Sequence, residues 1–281
     1  MKFNKILIAF ALLIGIAGCD VIDKPFEEKK GNDEPILTGV QKKIILEDYT
    51  GFTCPNCPKG AEAVHSLMET YSKSVIPIAV HAGYFAKPKS SASSPYKYDF
   101  RTDIGEEWDK FFGMSEAGNP CGLINRLNSH KIYSYQEWVA VIAEQQNKLA
   151  DFEITLKSSL DEAANKINAD VSIKTLDNLK EKYSLCVVLV QDNIVDYQDN
   201  GGTPIPEFVH NHVLRAGFNG AWGEAIITSP ISKNEVIAKN YSLNIKNDTK
   251  HPWNRPHLKA IAFVYNTSTY EIMQAEEVVV K

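Results

Sequence analysis

The first half of the chain, residues 41–150, combines short apolar runs with one stretch of helical spacing. Apolar runs at 43–50 and 74–81 flank residues 57–71, in which apolar side chains recur every three or four positions. A strand, a helix and a strand within about 40 residues predict a βαβ unit. The two strands of such a unit are expected to be parallel and adjacent.

From residue 151 onward the period of the pattern becomes two. Residues 152–157 and 169–174 alternate apolar and polar positions, which predicts half-buried strands. Further apolar segments predict strands at 184–190, 209–215, 236–245, 257–265 and 270–280. About seven strands with regular turns predict an antiparallel, Ig-like β-sandwich. The predicted fold class is therefore an α/β domain over 41–150 followed by a β-sandwich domain over 151–281.

Composition narrows the class of protein without pointing to its chemistry. The 281 residues are 44% hydrophobic and 23% charged, close to the averages for globular proteins. These values exclude a wholly disordered chain, a collagen, a coiled-coil rod and a polytopic membrane protein. The net charge of −5 gives no attraction to nucleic acid. No cofactor motif is present in the sequence, and we expect no cofactor.

The N-terminus has the three parts of a bacterial lipoprotein signal. Lys2 and Lys5 precede an apolar run at 6–16, which is too short to span a bilayer. Small residues and Cys19 follow, and this end resembles the lipobox, where a peptidase cuts before a cysteine that carries lipid. We expect a signal peptide at 1–18, lipidation of Cys19, and a mature protein anchored to a membrane outside the cytoplasm.

Residues 19–40 are predicted to be a disordered tether behind the lipidated cysteine. The segment is acidic at its start, contains two prolines and has no sustained period. The acidic stretch resembles surface-export signals of some Gram-negative lipoproteins. A plain solvated linker is the equal alternative.

The cysteines at 54 and 57 carry the candidate chemistry. Cys54-Pro55-Asn56-Cys57 lies where the first predicted strand passes into the helix. Unpaired N–H groups at a helix start favour a thiolate, which is the attacking species, and the spacing places the second thiol within disulfide reach. Cys54 is the candidate nucleophile and Cys57 the resolving cysteine. A structural Cys54–Cys57 disulfide and half of a zinc site, completed by His81 and Cys121, remain as alternatives.

This strand, dithiol and helix resemble the thioredoxin superfamily. In that superfamily a cis-proline packs against the two cysteines and pairs with substrate backbone, and Pro120 is the matching candidate here. The chain departs from the pattern at two positions. Thr53 stands where thioredoxins have an aromatic residue, and Cys121 stands where they commonly have threonine.

A longer set of segments resembles a narrower family. Residues 46–58, 124–126 and 210–215 are similar to Bacteroidetes-type lipoproteins named after a twenty-eight-kilodalton outer-membrane protein. The resemblance implies a thioredoxin-like domain, a C-terminal β-domain and a location at the outer membrane or cell surface. It supplies no defined biochemical activity.

Four further residues are weaker candidates. Cys121 and Cys186 either pair or stay free, and the apolar strand around Cys186 favours a buried free thiol. His210 and His212 lie two apart on a predicted strand, which suits a metal or, more simply, hydrogen-bonded histidines at the domain boundary. No third ligand accompanies them, so we expect no metal.

Two functional hypotheses follow from the sequence. The first is an extracytoplasmic thiol–disulfide oxidoreductase that acts on protein thiols or disulfides through Cys54 and Cys57, with Pro120 shaping the substrate groove. The second is a non-catalytic surface lipoprotein that binds or adheres to an unknown ligand. In the second, the cysteine pair is only a structural disulfide.

Overall fold

A computed structural model gives the fold and describes residues 38–281. The predicted signal peptide, the predicted lipidation site Cys19 and all but the last three residues of the predicted tether lie outside the described residues.

The α-helices of the described residues all lie before residue 150. They are α1 (Cys57–Tyr71), α2 (Asp103–Phe112), α3 (Met114–Ala117), α4 (Leu127–His130) and α5 (Trp138–Gln145). Of these, α4 is a single irregular turn that contains left-handed residues. None of the helices is long and apolar enough to cross a membrane.

The strands run through the whole described region. In chain order they are β1 (Ile44–Thr50), β2 (Val75–His81), β3 (Cys121–Ile124), β4 (Tyr133–Ser134), β5 (Phe152–Asp161), β6 (Lys166–Thr175), β7 (Tyr183–Gln191), β8 (Ile194–Asn200), β9 (Thr203–His210), β10 (Val213–Gly217), β11 (Glu224–Ile227), β12 (Val236–Asn244), β13 (Leu258–Asn266) and β14 (Ile272–Val279). This is a mixed α/β fold in which strands predominate, as the predicted α/β plus β class requires.

The predicted βαβ unit is confirmed. β1 and β2 pair in parallel from Ile44 opposite Val75 to Thr50 opposite His81, and α1 connects them. The helix buries Val64 and Leu67 on the face that its periodicity predicted. The end of β1 and the start of α1 therefore meet at one edge of the sheet, where the two cysteines lie.

One large sheet joins strands from both halves of the chain. Its order is β14-β13-β7-β10-β2-β1-β3-β4, and β11 also pairs with β7. The halves connect where β10 lies parallel to β2, with Val213 opposite Ala79. Strand pairing therefore joins the segments before and after residue 150. The division into two domains at that residue stays a prediction.

A smaller sheet, β12-β6-β5, covers one face of the C-terminal part of the large sheet. Leu185 and Val187 of β7 lie in the apolar core between these layers. Cys186 and Val188 belong to the core on the opposite face. This two-sided burial explains why β7 is a continuous apolar run rather than an alternating one.

The second half has more strands than the pattern predicted. The β8–β9 hairpin, a separate two-stranded sheet, is absent from the prediction because Pro204 and Pro206 interrupt the apolar pattern of β9. The strand predicted at 209–215 is divided. β9 ends at His210 and β10 begins at Val213, because His212 has a φ of +57°.

A buried ion pair ties β1 to the turn after β3. The guanidinium of Arg126 donates to both carboxylate oxygens of Glu47, at 3.0 and 2.7 Å. Its charged group also lies over the rings of Trp108, Phe112 and Phe263 at 4.9–5.4 Å from their centres. Because neither charge reaches solvent, each depends on the other for its stabilisation.

Candidate functional site

Cys54 and Cys57 lie in the turn between β1 and α1. Their sulfur atoms form a close pair, and their Cα atoms are 5.4 Å apart. The backbone N–H of Cys57, the first residue of α1, donates to the carbonyl of Cys54 at 3.3 Å. Only 1% of Cys54 and 2% of Cys57 is exposed. The geometry permits dithiol–disulfide chemistry, and both cysteines are almost fully buried.

Pro120 lies beside this pair. The Asn119–Pro120 peptide bond is cis, and the carbonyl of Asn119 is 3.7 Å from the sulfur of Cys54. On the other side, a Cβ added to Gly60 of α1 would come within 2.9 Å of the Pro120 ring. The structure thus brings the three predicted site residues together, and their roles remain predictions.

The β8–β9 hairpin covers the turn that holds the cysteines. The side-chain amide of Gln198, which is 2% exposed, donates to the carbonyl of Cys54 at 3.1 Å. At the tip of the hairpin, the N–H of Gly201 donates to the carbonyl of Pro55 at 3.0 Å. These bonds hold the hairpin over Cys54 and explain its burial.

Asp48 is a candidate residue that the sequence prediction missed. It lies on β1, six positions before Cys54, and is 5% exposed. Burial raises the pKa of its carboxyl group to about 7, and its Oδ1 has no hydrogen-bond partner. A carboxyl group with this pKa exchanges a proton at neutral pH. In the sequence, the feature that could have identified Asp48 is an acidic residue within an otherwise apolar predicted strand.

A cavity of about 90 Å³ lies between α1, β1, β2 and β9, and Cys57 and Asp48 are in its wall. We name it the Cys57 cavity. His81 and His210 also line it, with ring centres 5.6 Å apart. Burial lowers the pKa of His81 well below its usual range and that of His210 to about 4. Both imidazoles are therefore neutral at neutral pH.

The structure gives no support to the metal alternatives. Residues 38–281 contain no group of three or more histidine, cysteine or acidic side chains suited to a metal ion. His212 is engaged with Asp192 at 3.1 Å. The thiol of Cys121 donates to the carbonyl of Met114 at 3.3 Å.

Cys121 and Cys186 are separate, buried thiols in the part of the chain that the structure describes. Burial raises the pKa of each to about 12. Because the two cysteines are separate, no Cys121–Cys186 disulfide forms in this structure, and Cys186 is a buried free thiol as expected. Neither thiol belongs to the candidate site.

The fold and site define a mixed α/β protein with a cysteine pair at a strand-to-helix junction. The sequence model of the family described as "Outer membrane protein Omp28" matches residues 106–281, more than half of the chain. The chain belongs to the Omp28 family of outer-membrane lipoproteins. The matched region begins after the cysteine pair, so family membership does not define the chemistry of that pair.

Solved structures extend the comparison. HBP35 of Porphyromonas gingivalis is 16% identical with a TM-score of 0.60, and the match covers 86% of this chain and 76% of that one. This likeness shows a shared fold. A domain of the outer-membrane lipoprotein Omp28 from P. gingivalis is 22% identical over 48% of this chain and 91% of its own, with a TM-score of 0.35. No curated protein matches the sequence.

Proposed function

We propose that this outer-membrane lipoprotein catalyses thiol–disulfide exchange through Cys54 and Cys57. The observation that carries the proposal is the close cysteine pair between β1 and α1, with Pro120 beside it and Asp48 in the wall of the same cavity as Cys57. The N–H groups at the start of α1 favour a thiolate on the preceding turn. In this proposal residues 41–150 are a thioredoxin-like domain and residues 151–281 form the Ig-like β-sandwich.

The proposed reaction begins with the thiolate of Cys54. It attacks one sulfur of a protein disulfide, the bond between the substrate sulfurs breaks, and a mixed disulfide with Cys54 forms. Cys57 then passes its proton to Asp48 and attacks the sulfur of Cys54. The substrate leaves as a thiolate, and the Cys54–Cys57 disulfide forms. Pro120 shapes the groove in which the substrate backbone lies.

Trapping of the mixed disulfide tests this function. In Cys57→Ser the resolving step is blocked, so protein substrates should accumulate as adducts of Cys54, and a Cys54→Ser/Cys57→Ser variant should trap none. The unaltered protein should reduce insulin disulfides. The proposal fails if Cys57→Ser traps no partner and insulin is not reduced above the rate of the double variant.

The second candidate function is a binding or adhesion lipoprotein whose cysteine pair is purely structural. The burial of Cys54 under the β8–β9 hairpin favours this alternative. Protease shaving of intact cells would establish whether the protein is exposed, and complete protection would exclude a surface role. If Cys54→Ala/Cys57→Ala keeps full function in cells, the scaffold role replaces the catalytic one.

A further inference from the structure

The two cysteines have different surroundings. Cys54 lies under the β8–β9 hairpin, and its sulfur faces the carbonyl of Asn119. Cys57 is in the wall of the Cys57 cavity, and Cys54 is not. The outer rim of this cavity includes the exposed residues His65 and Val209, so the cavity connects with solvent. A small molecule can therefore approach Cys57 from a side that a protein substrate cannot enter.

Three side chains that line the Cys57 cavity carry a polar atom without a partner. Asp48 Oδ1, His81 Nδ1 and His210 Nε2 are buried without a hydrogen bond, in side chains that are at least 95% buried. Buried polar atoms are nearly always satisfied, so three of them in the side chains that line one cavity favour a polar occupant. No lysine or arginine lines the cavity. A carboxylate and two neutral imidazoles favour a ligand that donates hydrogen bonds and carries positive charge.

We propose that the Cys57 cavity binds a low-molecular-weight aminothiol, which reduces the Cys54–Cys57 disulfide by attack on Cys57. The inference rests on the proposed exchange function and adds a second class of substrate to it. Protein disulfides react at Cys54, and the small aminothiol reacts at Cys57. The dithiol thus connects a small-molecule reductant with a protein substrate.

The reaction balances with the aminothiol as the only reductant. Its thiolate attacks the sulfur of Cys57, the Cys54–Cys57 bond breaks, and Cys54 leaves as a thiolate. A second aminothiol attacks the sulfur of the aminothiol bound to Cys57. The two aminothiols leave as a symmetrical disulfide, and Cys57 is released as a thiolate. Two aminothiols are oxidised, and one protein disulfide becomes two thiols.

The size and lining of the cavity suit such a ligand. About 90 Å³ holds a short chain of a few heavy atoms and excludes a peptide. Ala61 and Val64 of α1 and Pro77 of β2 form an apolar wall. This wall would contact the carbon chain, and the amine would lie among the unpartnered polar atoms.

The test uses single-cysteine variants of the detergent-solubilised full chain and small disulfides of different charge. Cys54→Ser leaves Cys57 to react, and Cys57→Ser leaves Cys54. Each is treated with cationic cystamine, neutral 2-hydroxyethyl disulfide or anionic dithiodiglycolate, and peptide mapping locates the adduct. Rates are divided by the rates for the same variant unfolded in urea, which removes differences in intrinsic reagent reactivity.

After this correction, we expect cystamine to modify Cys57 about tenfold faster than the neutral reagent. A factor of about ten corresponds to the free energy of one hydrogen bond to a charged group. The anionic reagent should be slowest. In the Cys54→Ser background, Ala61→Leu fills the cavity and should slow the cystamine reaction about tenfold. Ser66→Leu, an exposed change on the same helix, should leave the rate unchanged.

Two results would overturn the inference. Adducts at Cys54 but not Cys57 would show that small disulfides use the same side as proteins. Equal corrected rates for the three reagents, unaffected by Ala61→Leu, would show that the cavity holds only water. If insulin reduction and substrate trapping persist in either case, the proposed function stands without this second substrate. If they are also absent, the proposed function itself fails.

Discussion

Replacing Asp48 with asparagine should stabilise the protein in a pH-dependent manner. Asparagine has nearly the same shape but cannot ionise, so the change removes only the cost of a buried charge. In the unfolded chain an aspartate has a pKa of about 4, whereas burial raises the pKa of Asp48 to about 7. Between these values the folded protein binds one proton more than the unfolded chain.

The sign and size of the effect follow from this difference. Because the folded state binds the extra proton, stability of the unaltered protein falls as pH rises from about 4 to about 7, by about 1.4 kcal/mol per pH unit. The accumulated cost above pH 7 is about 4 kcal/mol. Asp48→Asn should therefore match the unaltered protein near pH 4 and exceed it increasingly toward pH 8.

Urea denaturation of both oxidised proteins between pH 4 and pH 8 measures this difference directly. His81 and His210 titrate in both proteins, so their contribution cancels when the two free energies of unfolding are subtracted. Glu144→Gln, at an exposed position, is the matched control and should show no pH-dependent difference. A difference between Asp48→Asn and the unaltered protein that is constant across this range would refute the reasoning.

Three other predictions concern the buried ion pair, the β8–β9 hairpin and the thiol of Cys121. Glu47→Gln leaves the Arg126 charge buried without its counterion and should lower the free energy of unfolding by about 3–5 kcal/mol in urea denaturation. Gln198→Ala removes the amide that holds the hairpin, so iodoacetamide should alkylate Cys54 of the reduced protein faster than in the unaltered chain. Cys121, with a pKa raised to about 12, should resist alkylation at pH 8 in the folded protein and react readily in urea.

Controls separate these effects from general destabilisation. A Glu47→Leu/Arg126→Met variant removes both charges and should recover most of the stability lost in Glu47→Gln. Gln136→Ala, an exposed glutamine substitution, should leave the alkylation rate of Cys54 unchanged. Equal alkylation rates in Gln198→Ala and Gln136→Ala would contradict the assigned role of the hairpin.

The part of the fold that depends on local pattern was predictable from the sequence. The helix predicted at 57–71 has these bounds in the structure, and the strands on either side of it agree within one residue. Helical spacing and apolar runs report directly on which side chains are buried, because the period of each element is fixed by its backbone. The position of the cysteine pair between strand and helix followed from the same signals.

The β8–β9 hairpin escaped prediction for a physical reason. Strands accept proline only where its nitrogen faces away from the partner strand, so Pro204 and Pro206 argued against a strand. The position of this hairpin over Cys54 comes from contacts with the cysteine-bearing turn, which lies more than 140 residues earlier in the chain. Contacts of that kind leave no periodic trace in the sequence.

The Cys57 cavity was equally inaccessible to sequence reasoning, because its walls come from separated segments of the chain. Asp48 was the exception, since an acidic residue within an apolar strand six positions before Cys54 is visible without a structure. The parallel pairing of β10 with β2 likewise joins the two predicted halves through hydrogen bonds that no local pattern encodes.

The reduction potential of the Cys54–Cys57 pair tests the central claim most directly. It can be measured by equilibrating the detergent-solubilised protein with thiol–disulfide buffers and quantifying the reduced fraction. A catalytic pair should have a potential in the range of known exchange proteins, about −120 to −270 mV. A potential below about −300 mV would mark a purely structural disulfide and would contradict the proposed exchange function.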